Sequence, residues 1–151
     1  KAALFLIDVY KETDYQLVIA SNYKNTEVIA EVLKHENITF NSLTDENELN
    51  TLFENAHINA LPTFQNTGIK LKLLNTLRQG KFVIANDYMV NETGLETLCE
   101  KANTKAEFLS KTANLFKQDF EVSFVEDRKK LLESFDSKNN AKKIINLIFK
   151  N

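Results

Sequence analysis

The segment TGIKLKLLNTL, residues 67–77, places two lysines in the opening turns of a stretch that is otherwise rich in leucine and isoleucine. At 3.6 residues per turn, Gly68, Lys72, Asn75 and Gln79 share a polar stripe. The opposing core face is formed by Ile69, Leu73 and Leu77, with help from Leu74. A cation near a helix N-terminus is disfavoured by the helix dipole, whereas the free N–H groups there attract anions. The pattern indicates an anion site with Lys72 as first candidate and Lys70 as second. The alternative is that both lysines are solvated and only cover apolar surface.

The other reactive side chains have no partners close in sequence. His57 precedes a predicted strand and has no second metal ligand in register, which favours a structural role. Cys99 has no neighbouring base, so we expect it to pack rather than to act as a nucleophile. Asp8, Asp45 and Asp87 do not form the acid cluster of a signalling receiver domain, because the strand ends lack companion acids. The sequence predicts no metal site.

Composition is that of an ordinary folded domain. The 151 residues include 43% hydrophobic and 26% charged residues, and the formal net charge is −2. This charge argues against a nucleic-acid binder that depends on a basic surface. A single cysteine gives no intramolecular disulfide, and no apolar run is long enough for a membrane span, so the expected location is the cytoplasm.

Short β-rich runs alternate with segments of helical period. The predicted strands are residues 16–20, 37–40, 58–61 and 81–85, and the predicted helices between them are residues 27–35, 46–55 and 70–79. This alternation predicts an α/β fold, a Rossmann-like parallel sheet with helices on both faces. Thr44, followed by acids, predicts the start of the helix at 46–55.

Two further regions complete the predicted fold. The apolar pattern of residues 2–10 is longer than a usual strand and predicts a helix, so the strand that should precede it is expected to lie outside this sequence. The chain is therefore expected to be a fragment. After Gly94, residues 105–117, 124–135 and 140–149 are amphipathic, which predicts a helical C-terminal third.

The expected fold places the lysine segment where ligands bind. In a parallel sheet, ligands gather at the carboxyl ends of the strands, where loops lead into helix N-termini. The strand at 58–61 runs into Pro62, a polar turn follows, and Thr67 and Gly68 open the next helix. Gly68 permits a close approach of the backbone to a ligand.

Three motifs then suggest a family. NAHINALP at 55–62, TGIKLKLLN at 67–75 and GKFVIAN at 80–86 resemble the nucleotide-sugar-binding C-terminal domain of GT-B glycosyltransferases. The likeness is greatest to the retaining, sucrose-synthase-like group, and the order of elements agrees over about residues 1–100. The resemblance implies that residues 1–151 are a single donor-binding domain, whose acceptor-binding N-terminal domain and first strand are absent.

The resemblance also implies roles for individual residues. Lys72 matches the lysine of the family's Gly-Ile-x-x-Lys pattern, and it is expected to contact the donor diphosphate together with Thr67, Gly68, Ile69 and Lys70. Charge-assisted contacts and helix N–H groups suit phosphate oxygens.

Departures from the family pattern bear on the sugar and the ribose. The two family glutamates fall on Thr67 and Asn75, and the proline of the last motif falls on Phe82. Asn75 is expected to hold the ribose, more weakly than a carboxylate would. Ser42 and Leu43 are expected near the nucleobase.

The implied activity is transfer of a glycosyl group from a nucleotide-diphosphate sugar, with configuration retained and with no metal or other cofactor required. The acceptor, a glycan or a lipid-linked molecule, would be held by the absent domain, so this chain alone is expected to be inactive. Nucleic acid is not an expected partner, and peripheral membrane association of the full-length protein stays open. One alternative is a non-catalytic binding or scaffold domain, which the loss of the family's two glutamates favours. The other is a nucleotide-sugar epimerase of GT-B architecture.

Overall fold

The protein is described here by a computed structural model that covers residues 1–65 and 70–149. The helices are α1 (Ala2–Tyr10), α2 (Thr26–Val32), α3 (Glu46–Asn55), α4 (Leu71–Gln79), α5 (Asp87–Val90), α6 (Lys105–Leu115), α7 (Val122–Leu132) and α8 (Ser137–Ile148). The strands are β1 (Leu17–Ser21), β2 (Ile38–Ser42), β3 (Ile58–Leu61), β4 (Phe82–Ala85) and β5 (Glu100–Lys101). The predicted alternation of strands and helices is confirmed, while α5 and β5 were not predicted.

Every strand pair is parallel, as predicted, but the described strands form two separate sheets. One sheet has the order β1-β2 and the other β3-β4-β5. Leu17 lies opposite Ile38 in the first sheet, and Ile58 lies opposite Phe82 in the second. β5 pairs with β4 over only two residues, which is too short a run for an alternating pattern to reveal it in the sequence.

Helices cover both faces of the larger sheet, which confirms the predicted layered α/β architecture. Successive side chains of a strand point to opposite faces. In β4, Phe82 and Ile84 pack into the core formed with α1, α2 and α6, whereas Val83 and Ala85 pack into the core formed with α4, α5 and α7. All four side chains are buried, so β4 is the central structural element shared by the two cores.

The helix boundaries differ slightly from the predicted ones. Asp45, rather than Thr44, is the N-cap of α3, and its carboxylate accepts hydrogen bonds from the N–H groups of Asn47 and Glu48. Glu48 in turn accepts a hydrogen bond from the Thr44 N–H at 2.7 Å, so the predicted signature is used with the cap shifted by one residue.

The C-terminal region is helical, as predicted, through α6, α7 and α8. Thr104 and Glu107 form a capping box that starts α6. α8 leaves several large apolar side chains exposed, including Leu147 at 79% and Ile148 at 67%. No helix within residues 1–65 and 70–149 is long and apolar enough to cross a membrane.

Candidate functional site

A groove of about 1150 Å³ lies between the two sheets. Its sides are formed by all residues of β1 and all residues of β3, and we call it the β1–β3 groove. Ala2, Ala3 and Leu6 of α1 also line it, while Pro62 and Lys72 lie at the end where β3 leads toward α4. The groove thus joins an apolar interior to a polar mouth at the carboxyl ends of the parallel strands, where ligands of such sheets bind.

The first turn of α4 faces the mouth of this groove. Lys70 is its N-cap residue, no acidic side chain lies in the first turn, and the N–H groups of Leu73 and Leu74 donate to the Lys70 carbonyl. Leu73, Leu74 and Leu77 are buried, which confirms the predicted core face of the helix. Thr76 is buried as well. Its hydroxyl donates to the Lys72 carbonyl at 2.8 Å, so burial does not leave this polar group without a hydrogen bond.

Lys72 lines the groove and carries a positive charge. The residue as a whole is exposed, and its ammonium donates to the Pro62 carbonyl at 3.5 Å in a partly buried contact. The pKa of Lys72 is lowered, first because burial removes water from the ammonium group and second because Lys70 carries a like charge nearby. Within the described part of the chain Lys72 has no salt-bridge partner. A bound anion would therefore offset the loss of hydration and the repulsion from Lys70 that disfavour the charged form of Lys72.

The structure brings only some of the predicted site residues together. Lys72 and Leu43 both line the groove, whereas Ser42 and Asn75 are not among its lining residues. The Lys70 ammonium donates to the Gln65 carbonyl at 2.9 Å. The predicted contacts of residues 67–69 lie outside the described residues. The roles assigned to all these residues stay predictions.

Asn86 fixes the loop that leads from β3 toward the lysines, a role that sequence reasoning missed. Its side-chain oxygen accepts a hydrogen bond from the Thr63 N–H at 3.0 Å, and its amide nitrogen donates to the Thr63 carbonyl at 2.7 Å. Both residues are buried, at 5% and 9% exposure. Its position directly after a fully apolar strand indicated from the sequence that residues 86–90 either rim the site or form an ordinary loop, but not that Asn86 holds Thr63.

Aromatic and acidic groups also reach the mouth of the groove. Tyr23 follows β1, lines the groove and is 71% exposed, so its ring is free to stack on a planar ligand. Asp45 and Glu46 line the same region. The Asp45 side chain caps the N-terminus of α3.

The residues considered for other chemistry have structural partners. His57 bonds to the Leu115 carbonyl at 2.9 Å and its ring stacks on Phe116, which is a packing role. Burial raises the pKa of the Cys99 thiol to about 12, so a reactive thiolate is disfavoured. Asp87 pairs with Lys101 at 2.6 Å, and this contact lowers its pKa. Among the described residues, no group of three or more His, Cys, Asp or Glu side chains is arranged to hold a metal ion.

A family model described as "Glycosyl transferases group 1" matches residues 1–118. The match covers α1 through α6, and therefore includes the groove, Lys72 and the Asn86–Thr63 contact. Neither curated proteins nor solved structures gave a significant match.

Proposed function

The chain belongs to the glycosyl transferases group 1 family, and from this premise we propose that residues 1–151 form the donor-binding domain of a glycosyltransferase. The ligand is a nucleotide-diphosphate sugar bound at the mouth of the β1–β3 groove. The observation that carries the proposal is the Lys72 ammonium, which lies partly buried beside the first turn of α4 in a family whose members transfer glycosyl groups.

The electrostatics of the α4 terminus favour a diphosphate over a neutral ligand. Two ammonium groups and the positive end of the helix dipole lie within the same turn, without an acidic side chain in that turn. A diphosphate compensates these charges, and its departure with the nucleotide is stabilised by the same groups during transfer. Lys72 is the principal contact, and Lys70 is the second one.

The nucleoside end of the donor is proposed to lie toward β1 and β2. Leu43 and Tyr23 line the groove there, and both offer apolar surface to a base. Ser42 belongs to the same strand end, and Asn75 follows Lys72 by one turn as the proposed ribose contact. The finer steps, namely a hexosyl donor and transfer with retention, rest on the family analogy.

The wider context of the reaction is also part of the proposal. The acceptor is a glycan or a lipid-linked molecule held by a second domain of the full-length protein, and the isolated chain binds donor without turning it over. Reaction in the cytoplasm, with or without peripheral contact to a membrane, would fit such acceptors.

Calorimetric titration of UDP, GDP and their sugars into the chain tests the proposal. We expect saturable binding of at least one nucleotide, weakened about tenfold or more by Lys72→Ala and largely retained in Lys72→Arg. Lys129→Ala is the matched control, because Lys129 is an exposed lysine of α7 that does not line the groove. Absence of heat for every nucleotide at millimolar concentration would contradict donor binding.

The loss of the family's acidic pair defines the competing function, a binding domain without catalysis. Thr67 and Asn75 occupy the two acidic positions. Glutamate is therefore restored at both positions, and donor affinity is measured together with transfer by the full-length protein. Unchanged affinity and absent transfer would favour the non-catalytic alternative, whereas an altered product from the sugar itself would favour an epimerase.

A further inference from the structure

Helix α8 carries an apolar surface that the rest of the described chain leaves uncovered. Among the α8 residues whose side chains the structure describes, Asn140 alone is partly buried and the others are exposed. The Asn140 side-chain amide donates to the Ser134 carbonyl at 3.0 Å, which attaches the first turn of α8 to the preceding segment. Exposed apolar patches of this kind mark interaction sites. The patch, which we call the α8 apolar surface, consists of Ile144, Ile145, Leu147, Ile148 and the following Phe149, all more than half exposed.

The α8 apolar surface occupies nearly half of the helix circumference. At 3.6 residues per turn, Lys142 and Asn146 lie on one face, and the apolar residues lie on the other. Ile145 and Leu147 form the two borders of the apolar face, about 160° apart at 100° per residue. Such a face suits a continuous apolar medium, because a helix that lies in a lipid interface immerses its whole apolar side at once.

Positive charge accompanies the apolar surface. Residues 137–151 contain four lysines and no aspartate or glutamate, although the chain as a whole has a net charge of −2. Lys142 is exposed on the polar face of α8. Lysine side chains beside an apolar surface cover it with their methylene groups and keep the ammonium in water or among polar headgroups. The local charge therefore complements a negatively charged surface.

We propose that α8 docks on an anionic lipid surface and lies in the plane of the headgroups. The α8 apolar surface enters the boundary between headgroups and acyl chains, and the lysines contact the lipid phosphates. The 12 residues of α8 extend about 18 Å, whereas the hydrocarbon core of a bilayer is about 30 Å thick. The helix therefore lies along the membrane and does not cross it.

The charge of α8 favours lipid over a second copy of the chain. Pairing two α8 apolar surfaces brings two lysine-bearing helices together, and residues 137–151 supply no acidic side chain to compensate the repulsion. An anionic bilayer supplies both the apolar medium and the negative charge in one surface.

The docking helix and the proposed donor site are associated with opposite ends of α4. Arg78, in the last turn of α4, donates to the Phe135 carbonyl at 3.3 Å, just ahead of α8, whereas Lys72 lies in the first turn. Docking therefore leaves the mouth of the β1–β3 groove open. The inference goes beyond donor binding and does not depend on it, and it assigns contact with a membrane to one helix.

Co-sedimentation of the 151-residue chain and of the full-length protein with vesicles tests the docking. Both should bind vesicles of phosphatidylcholine mixed with phosphatidylglycerol, and should bind phosphatidylcholine alone at least about fivefold more weakly. Leu147→Ser and Lys142→Glu should each weaken binding to the anionic vesicles about fivefold or more.

The matched controls change the same residue types elsewhere on the surface. Leu33→Ser alters an exposed leucine directly after α2, and Lys117→Glu alters an exposed lysine after α6, so both should bind like the wild type. Circular dichroism checks that every variant is folded. Absence of binding, equal binding to both kinds of vesicle, or equal losses in variants and controls would overturn the proposal.

Tryptophan fluorescence reports on α8 itself, because the chain contains no tryptophan. In Phe149→Trp the emission should move to shorter wavelength when anionic vesicles are added, since the ring leaves water for the lipid boundary. Leu33→Trp is the control, and its emission should not change. Equal responses of the two variants would contradict immersion of α8.

Three other results would assign the α8 apolar surface to a different occupant and overturn the proposal. Phe149→Trp emission in the full-length protein that is already at short wavelength and does not respond to vesicles would indicate coverage by protein. Dimers that dissociate in Leu147→Ser would indicate a second copy. Binding to polyglutamate as strong as to anionic vesicles would indicate an acidic protein partner. UDP titration is a separate measurement, so donor binding and membrane docking can fail independently.

Discussion

Replacing Asn86 by alanine is expected to destabilise the protein and to loosen the site together. The substitution removes both hydrogen bonds to Thr63, at 3.0 and 2.7 Å, and leaves a buried N–H and a buried carbonyl without partners. Each orphaned buried group costs about 1–3 kcal/mol, so the expected loss in the free energy of unfolding is roughly 2–6 kcal/mol. That is a large part of the total stability of a domain of this size.

Urea denaturation followed by circular dichroism measures this loss. Asn114→Ala is the matched control, because Asn114 is an exposed residue of α6 whose side chain makes no hydrogen bond to any of the described residues. Its cost is expected to stay within about 0.5 kcal/mol. UDP affinity is expected to fall in Asn86→Ala, since Thr63 belongs to the loop between β3 and α4. A loss in unfolding free energy no larger than the control's would refute the assignment of Asn86 as the residue that fixes this loop.

Asn86→Asp tests whether the side chain at position 86 must donate a hydrogen bond to the Thr63 carbonyl. The carboxylate keeps an acceptor for the Thr63 N–H but opposes the Thr63 carbonyl with a second oxygen, so the variant is expected to be unstable at neutral pH. Protonation restores a donor, and stability relative to the wild type should recover as the pH falls. Stability that instead decreases in parallel with the wild type at acidic pH would contradict the donor role of the Asn86 amide.

Three further predictions concern Lys72, Arg128 and Cys99. Because the pKa of Lys72 is lowered, its ammonium loses its proton at a lower pH than an ordinary lysine does, and UDP affinity should fall with it. Calorimetry between about pH 7 and pH 10 should show a smaller fall in affinity for Lys72→Arg than for the wild type. The same fall in both proteins would contradict this prediction. Buried Arg128 donates to the carbonyls of Gly80, at 2.7 Å, and Lys81, so Arg128→Ala should cost at least about 2 kcal/mol in urea unfolding and Arg128→Lys should recover less than half, because lysine lacks the forked geometry; an unchanged midpoint would refute this. Alkylation of Cys99 at about pH 8 should be at least about tenfold slower in the native protein than in urea, because burial raises the pKa of its thiol; equal rates would contradict its packing role.

Much of the fold could be predicted from local pattern. Burial could be predicted from the run of apolar residues in β4 and from the spacing of Leu73 and Leu77 in α4. The reason is that the repeat of a helix or a strand determines which of its faces each side chain lies on. The parallel arrangement followed from the alternation of these elements. The motifs around residues 55–86 were sufficient to suggest the family that the comparison then showed.

Boundaries and short elements could not be predicted in the same way. α2 ends at Val32 rather than at His35, because the N–H groups of Lys34 and His35 bond three residues back in a tighter turn. β5 has two residues, and only its pairing with β4 makes it a strand. Both outcomes depend on hydrogen bonds that a periodicity of side chains does not record.

The sequence by itself determined the types and order of the elements, the polar stripe of Lys72 and the family likeness. Tertiary structure decided which residues meet: it joined Asn86 to Thr63 across 23 positions and placed Tyr23 and Leu43 in the groove with Lys72. The physical reason is that periodicity is local, whereas the contacts of a site depend on how the chain returns through the sheet. Hydrogen-bond partners that are far apart in sequence come together only when the strands and helices have packed against each other.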